Sequence, residues 1–116
     1  MTRGLVAAGA INAAIAVGAG AFAAHALRGK LDARMLEVFE TGARYQMYHA
    51  LAMILCGVLA ATRPGWVMQG GIVLFSGSLY ALALTDVKAL GAITPFGGVA
   101  FLVGWIWLAI TALRAA

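Results

Sequence analysis

The sequence has few charged side chains. Only 10% of its 116 residues are Asp, Glu, Lys or Arg, whereas about 25% of an average soluble domain is charged. At the same time 64% of the residues are hydrophobic, and a soluble globule of this size has too small an interior to bury them. The composition therefore excludes an ordinary soluble domain and predicts a single domain, residues 1–116, that lies in a lipid bilayer.

Paired cysteines, basic clusters and catalytic motifs are lacking as well. Cys56 is the only cysteine, so an intrachain disulfide is excluded. The 8 basic residues are scattered, which argues against a nucleic-acid partner. No H-E-x-x-H, G-x-S-x-G or phosphate-binding loop occurs. We therefore expect no catalytic residues and no enzymatic activity, and the cofactor, if there is one, is unknown.

Four apolar runs of roughly 20 residues predict membrane-crossing helices. The runs cover residues 4–27, 45–62, 66–85 and 95–113. Pro64 and Gly65 are expected to separate the second run from the third, and Thr94 is expected to cap the fourth, with Pro95 in its first turn. The predicted fold class is all-α, an integral membrane four-helix bundle. The first run also resembles a secretory signal peptide, but it is longer than a usual signal core.

The connection between the first two spans predicts an amphipathic interfacial helix. Asp32 can cap this helix, and its apolar residues recur along one face. Those residues are Leu31, Met35, Val38, Phe39 and Gly42. Ion pairs can form between Arg34 and Glu37 and between Glu40 and Arg44. The segment either lies in the membrane interface or continues into the second span as one long helix.

Small residues recur every four positions in three of the spans. The rows are Ala10-Ala14-Gly18, Ala16-Gly20-Ala24, Gly77-Ala81 and Ala100-Gly104. Such rows let helix backbones approach closely, so we expect them to pack the bundle together. Asn12 lies near the middle of the first span, where an unpaired amide is costly, and it is expected to bond to a neighbouring helix.

Polar side chains gather at one of the two predicted membrane faces. Threading the spans up and down places the N-terminus, the C-terminus and a belt of Trp66, Trp105 and Trp107 on one face. The opposite face receives a candidate polar-end site: His25, Tyr45, Gln46, His49, Ser76, Ser78, Tyr80, Asp86 and Thr94. The simpler alternative is that these side chains only satisfy helix ends and loops by hydrogen bonding.

Two chemical readings of these polar residues remain open. Tyr45, His49, Met53 and Cys56 fall on one helical stripe. Four residues, His49, Met53 and Cys56 of this stripe and His25 of the adjacent span, supply soft ligands that suit copper(I). The sequence lacks any close-spaced Cys or His motif, and Met and Cys also fill apolar cores, so this metal site is a minor alternative. The second reading is a relay for protons or a small solute, formed by His25, His49, Tyr80 and Asp86.

Four ordered segments resemble a known family. They are GAFAAHAL, FETGARYQMYHALA, LFSGSLYALAL and LGAITPFGG, and the resemblance covers essentially the whole chain. The chain resembles the small multi-span membrane proteins of domain of unknown function 423, found in bacterial inner membranes. The resemblance implies that GAFAAHAL belongs to the mature protein, and it brings no known activity or catalytic residue. Eight of the nine polar-end residues and Pro95 lie inside these segments, and Asp86 is the polar-end residue that lies outside them.

The function predicted from these observations is non-enzymatic. The protein would act through contacts with another membrane protein, with a second copy of itself or with lipid. One alternative is a small oligomeric transporter or channel subunit that moves protons or a small solute. A third is a metal-handling accessory protein.

The predicted location is the bacterial inner (cytoplasmic) membrane, with several spans and both termini on one side. Basic residues favour the cytoplasmic side of a membrane. The polar face carries Arg28, Lys30, Arg34, Arg44 and Lys88, against Arg3, Arg63 and Arg114 on the other face. This bias predicts a cytoplasmic polar face and both termini outside.

Overall fold

Four long helices, in the computed structural model of residues 1–115, follow one another with short connections. They are α1 (Arg3–Phe22), α2 (Ala33–Val58), α3 (Thr62–Thr85) and α4 (Thr94–Arg114). A π-helical turn, Ala23–Leu27, extends α1, and a 3-10 turn, Lys88–Ala92, precedes α4. Three segments are long and apolar enough to cross a membrane: Arg3–Leu27, Thr62–Thr85 and Lys88–Arg114. The all-helical class is confirmed.

The beginning of α3 differs from the prediction. The residues Thr62 to Gly65 form its first turn and not a connection, so α3 begins four residues earlier than the predicted span. A proline fits in a first turn because the N–H it lacks would have no partner within the helix. The connection from α2 is Leu59 to Ala61, and Ala60 adopts a left-handed conformation there with φ 57°.

Helix caps follow the prediction at α2 but not at α4. The Asp32 carboxylate accepts a hydrogen bond from Met35 N at 2.8 Å, which confirms Asp32 as the cap of α2. Thr94 does not cap α4, because the helix begins at Thr94 itself and Ile93 holds the cap position. Pro95 lies in the first turn of α4, as expected.

The predicted amphipathic segment and the second span form one helix. From Ala33 to Val58, α2 is continuous over 26 residues, or about 39 Å at 1.5 Å per residue. Of the two predicted arrangements, the structure shows the one in which the amphipathic segment continues into the second span. The interfacial position of the N-terminal half of α2 stays a prediction. The expected ion pair between Glu40 and Arg44 does not form: Arg44 Nη2 donates to Thr41 Oγ1 at 3.0 Å.

The four helices pack as a flattened bundle that is wider in one direction than in the other. Its Cα atoms extend 50 × 26 × 17 Å. Each helix packs antiparallel against the next one in sequence, so α2 and α3 lie at the centre. Over residues 1–115, α1 and α4 do not pack against each other, and they form opposite edges of the bundle. Each edge helix therefore keeps a side without a protein neighbour.

Close helix contacts use Gly104 of the predicted rows, where an added Cβ would lie 2.9 Å from Met68 Sδ, and glycines outside those rows. A Cβ atom added at Gly9 would lie 2.7 Å from Ile54 Cγ1, and one at Gly57 would lie 2.9 Å from Thr2 O, so α1 and α2 approach closely at these glycines. The predicted row Ala10-Ala14-Gly18 is exposed, and nothing lies within 4 Å of a Cβ added at Gly18. Its predicted role in packing the bundle is wrong.

Candidate functional site

The middle of the bundle contains a hydrogen-bonded network of uncharged side chains. Tyr80 Oη donates to Gln46 Oε1 at 2.7 Å, and Gln46 Nε2 donates to Asn12 Oδ1 at 3.1 Å. Asn12 Nδ2 in turn donates to Gln69 Oε1 at 2.8 Å and to Ala8 O at 2.9 Å. The network joins α1, α2 and α3, and the predicted bond from Asn12 to a neighbouring helix is confirmed.

The contact between Gln46 and Asn12 fixes the depth of the second helix. The span Arg3–Leu27 has its midpoint at residue 15, so Asn12 and Gln46 both lie near the middle of the span. His49 lies three residues further along α2, about 5 Å from Gln46 and on the side away from His25. His25 lies 13 residues beyond Asn12 on the first span, or about 20 Å along the axis. The expected grouping of His25 with His49 at one depth therefore has to be corrected.

Both ring nitrogens of His49 are occupied. Trp105 Nε1 donates to His49 Nε2 at 3.0 Å, and His49 Nδ1 lies 2.7 Å from Tyr45 O. Because an indole nitrogen can only donate, Nε2 must be the acceptor and Nδ1 must carry the proton. The ring is thus a neutral imidazole, and it stacks on Phe101 with a centroid distance of 3.4 Å and an angle of 7°.

Trp105 is a site residue that sequence reasoning missed. It was expected in an aromatic belt at the other membrane face, yet it lies beside the midpoint of α4 (Thr94–Arg114) and reaches His49. An indole N–H at mid-span needs an acceptor, because no water is available there. That requirement, combined with the antiparallel order of the helices, is the signal that could have linked Trp105 to His49.

Of the remaining predicted site residues, Ser78 and Thr94 form a hydrogen-bonded pair, and Ser76 has no hydrogen-bond partner among residues 1–115. Ser78 Oγ donates to Phe75 O at 2.9 Å, so the hydroxyl of Thr94 is the donor in the 2.5 Å contact with Ser78 Oγ. This pair joins α3 to the beginning of α4. Ser76 Oγ is buried and has no hydrogen-bond partner among residues 1–115.

Two candidates lie at the ends of helices. Asp86 ends α3 in a left-handed conformation with φ 56°, and its N–H bonds to Leu82 O at 2.8 Å. His25 is exposed on the π-helical turn that follows α1. The structure therefore divides the nine predicted site residues among several places in the fold and does not form one polar end. Their functional role stays a prediction.

The four residues considered as metal ligands do not form a ligand set. His49 uses both nitrogens within the protein, and Met53 Sδ accepts a contact from Asn12 Nδ2 at 3.7 Å. Cys56 is a buried free thiol in the apolar core, and His25 lies at the end of the first span. Within residues 1–115, no group of three or more His, Cys, Asp or Glu side chains is arranged to hold a metal ion.

Two grooves open on the surface of the helix bundle. One, of about 420 Å³, lies between α2 and α4 and is mainly aromatic; its lining includes Tyr45, Tyr48, His49, Phe75, Phe101 and Trp105. The other, of about 230 Å³, lies between α1 and α2 and carries two charges; it is lined by Ala16, Gly20, Glu40, Ala43, Arg44 and Met47. Sequence reasoning had assigned both charged residues to the membrane interface.

Comparison with known proteins identifies the family. The family model described as "Protein of unknown function (DUF423)" matches residues 19–98. The chain belongs to this family. A relative in Bacillus subtilis, UPF0382 membrane protein YwdK, is 51% identical over 114 residues, covering 91% of this chain and 93% of the relative. UPF0382 membrane protein SAB0533 of Staphylococcus aureus is 50% identical, covering 93% of each chain.

The relatives in the DUF423 family are named as membrane proteins. UPF0382 membrane protein SSP2132 of Staphylococcus saprophyticus is 52% identical over 108 residues, covering 88% of this chain and 90% of the relative. No solved structure matches the chain. Together with three apolar segments of spanning length, these relatives establish a helical membrane protein of an uncharacterised family, and the predicted family resemblance is confirmed.

Proposed function

We propose that the protein is a non-enzymatic, multi-pass protein of the bacterial cytoplasmic membrane that acts through helix contacts within the bilayer. The observation that carries this proposal is a difference between the two edge helices. The exposed side of α4 is bulky, whereas much of the exposed side of α1 consists of alanine and glycine. Bulky exposed side chains suit contact with lipid, whereas exposed small residues let the backbone of another helix approach closely.

The residues on the two edges document this difference. Exposed residues of α4 are Phe96, Val99, Leu102, Val103, Ile106, Ile110 and Leu113, together with two tryptophans. The exposed residues of the first span include the small residues Ala7, Ala10, Ala14, Gly18, Ala21 and Ala24 and four bulky apolar ones, Ile11, Ile15, Val17 and Phe22. Both helices lie at an edge of the same bundle, so their different composition reflects what each one meets. We therefore propose that a partner, either another membrane protein or a second copy, packs on α1.

The buried polar groups support a structural role over transport or metal handling. Asn12, Gln46 and Gln69 carry amides, which do not exchange protons at physiological pH. His49 is held between a backbone carbonyl and an indole N–H, so it offers no free nitrogen to a relay or a metal ion. These contacts join helices to one another, as polar side chains do in membrane bundles.

The proposed orientation places the end with the Arg28–Asp32 turn in the cytoplasm and both termini outside. That end carries Arg28, Lys30, Arg34 and Lys88, against Arg3, Arg63 and Arg114 at the other end. Arg44 no longer counts, because it lies beside Ala16 at mid-span depth. Protease access to tags at either terminus of intact cells tests this arrangement, and removal of an N-terminal tag is the expected result.

Site-specific photo-cross-linking in native membranes tests the helix-contact proposal. A photoreactive amino acid at Ala10 on α1 is expected to give protein adducts, whereas the same group at Leu102 on α4 is expected to label lipid only. Both positions are exposed, so the incorporated group fits in either place. Labelling of lipid alone from Ala10 would show that α1 has no protein partner, and the proposal would be wrong.

A further inference from the structure

We propose that the partner on α1 is a second copy of this chain, held by two reciprocal ion pairs between Glu40 of one copy and Arg44 of the other. This inference rests on the proposed function and specifies its partner. The docking surface is the groove of about 230 Å³ between α1 and α2, which both charged side chains line. The two copies lie side by side with the same orientation in the membrane.

The depth of these charges is the first argument. The groove is lined by Ala16 and Gly20, which lie one and five residues from residue 15, the midpoint of the span Arg3–Leu27. Arg44 lies beside Ala16, near the middle of the span, whereas Glu40 is nine residues from His49 along α2, about 14 Å from the level that His49 and Trp105 share. Both side chains therefore lie within the hydrocarbon core, which extends roughly 15 Å to either side of its middle.

The absence of a partner within the chain is the second argument. Arg44 is exposed and donates to the Thr41 hydroxyl, while Glu40 is half-buried and has no hydrogen bond or ion pair among residues 1–115. Charged side chains at mid-membrane depth are costly, and they almost always pair with one another or face protein or water. An occupant of the exposed groove that supplies opposite charges satisfies both side chains.

The arrangement of the two charges identifies that occupant. One surface carries an acid and a base one helical turn apart, which is the self-complementary pattern of a two-fold interface. The guanidinium of Arg44 reaches back to Thr41 Oγ1 at 3.0 Å, so its charge lies close to the level of Glu40. A two-fold axis parallel to the helices brings the second copy's Glu40 to this level and forms both pairs at once.

The side of α1 beside the groove is suited to close approach. Ala13, Gly20 and Ala24 share this side at helical spacing, and a Cβ added at Gly20 meets nothing within 4 Å. Of the bulky exposed residues of α1, Ile11, Ile15 and Phe22 lie on the opposite side, and Val17 borders the groove side. A second helix that approaches the groove side thus meets Val17 as the one bulky exposed residue of α1.

Charge reversal in two differently tagged copies tests the ion pairs. Glu40→Arg alone and Arg44→Glu alone each replace both opposite pairs with like pairs, so co-purification of the two tags should fall at least about ten-fold. Co-expressing Glu40→Arg in one copy with Arg44→Glu in the other restores both pairs between copies and should recover the association. The pair within each variant chain stays like-charged, so recovery can come only from contacts between copies.

Matched variants separate this interface from general damage. Gly20→Leu should abolish association, whereas Gly70→Leu, on α3 and also with nothing within 4 Å of an added Cβ, should leave it unchanged. Glu37→Arg makes the same charge change beside Leu79 of α3, away from the groove, and should have no effect.

Either of two results of the charge reversals would overturn the proposal. One is association that survives both single reversals, and the other is failure of the mixed pair to recover. Protein adducts from Ala10 that contain a different protein and no second copy would also overturn it, while leaving the proposed function intact.

Discussion

Trp105 of α4 donates its indole proton to His49 of α2 across 3.0 Å, close to the middle of the spans. This bond fixes the tautomer of the imidazole, and the carbonyl of Tyr45 takes the remaining proton at 2.7 Å. Because α2 and α4 are not neighbours in sequence, the bond helps to hold α4 against the centre of the bundle. His49, which the sequence suggests as a functional residue, thus has a structural role in joining α2 to α4.

Replacing Trp105 with Phe should destabilise the protein. The variant keeps an aromatic ring but leaves His49 Nε2 without its donor, and polar bonds between membrane helices contribute about 0.6 kcal/mol on average. The expected loss is about 1 kcal/mol in the free energy of unfolding, since the uncovered nitrogen also lacks water. Unfolding in mixed detergent micelles measures it. Trp66→Phe is the control, because Trp66 is exposed and its indole has no hydrogen bond among residues 1–115; equal losses would contradict the assignment.

The contact between α1 and α2 at Gly9 should not tolerate a methyl group. A Cβ there would lie 2.7 Å from Ile54 Cγ1 and 2.8 Å from Ala50 O, and the backbone oxygen cannot move aside easily. Gly9→Ala should therefore cost about 1–3 kcal/mol, the usual range for overpacking. At Gly70 a Cβ meets nothing within 4 Å, so Gly70→Ala should be neutral or stabilising. Both values come from the same unfolding measurement, and equal effects would refute the close contact.

Sequence patterns predict where the helices of this protein lie better than they predict which residues of different helices contact each other. Apolar runs and the Asp32 cap follow from local physics, so α1, α3 and α4 and the beginning of α2 could be predicted. The pairing of Asn12 with Gln46 depends on the antiparallel register of two helices, which no local pattern fixes. For the same reason the polar end was misplaced: a span expected to begin at Tyr45 puts His49 near a membrane face, whereas the continuous α2 puts it at mid-depth.

Small-residue rows illustrate the same limit. A row of alanine and glycine predicts that a helix approaches closely, but it does not say which one. Gly9 and Gly57 pack within the chain, whereas Ala10, Ala14 and Gly18 face outward. The distinction depends on the angle at which α2 crosses α1, and that angle is set by side chains from both helices.

The turn between α2 and α3 should become more stable with glycine at its strained position. Ala60 has φ 57°, a left-handed conformation that costs a residue with a Cβ about 1–2 kcal/mol. Glycine avoids this cost but loses more chain entropy on folding, so Ala60→Gly should gain about 1 kcal/mol or less. Asp86→Gly is the comparison, since Asp86 has a similar φ of 56° but aspartate tolerates it better, and the gain there should be smaller. A loss of stability in Ala60→Gly would contradict the left-handed turn.

The amide network should show energetic coupling between α1 and α2. Asn12→Leu and Gln46→Leu each remove a partner of the 3.1 Å bond and leave another buried polar group unsatisfied. Each single variant should therefore lose about 1–2 kcal/mol, and the double variant should lose less than their sum. The expected coupling is about 0.6–1.7 kcal/mol, the range found for such bonds in membrane helices. Asn12→Leu paired with Thr85→Val serves as the control cycle, because Thr85 bonds only within α3 and the adjoining turn. Additive losses in the Asn12–Gln46 cycle would mean that the two amides stabilise the bundle independently, which the bond between them does not permit.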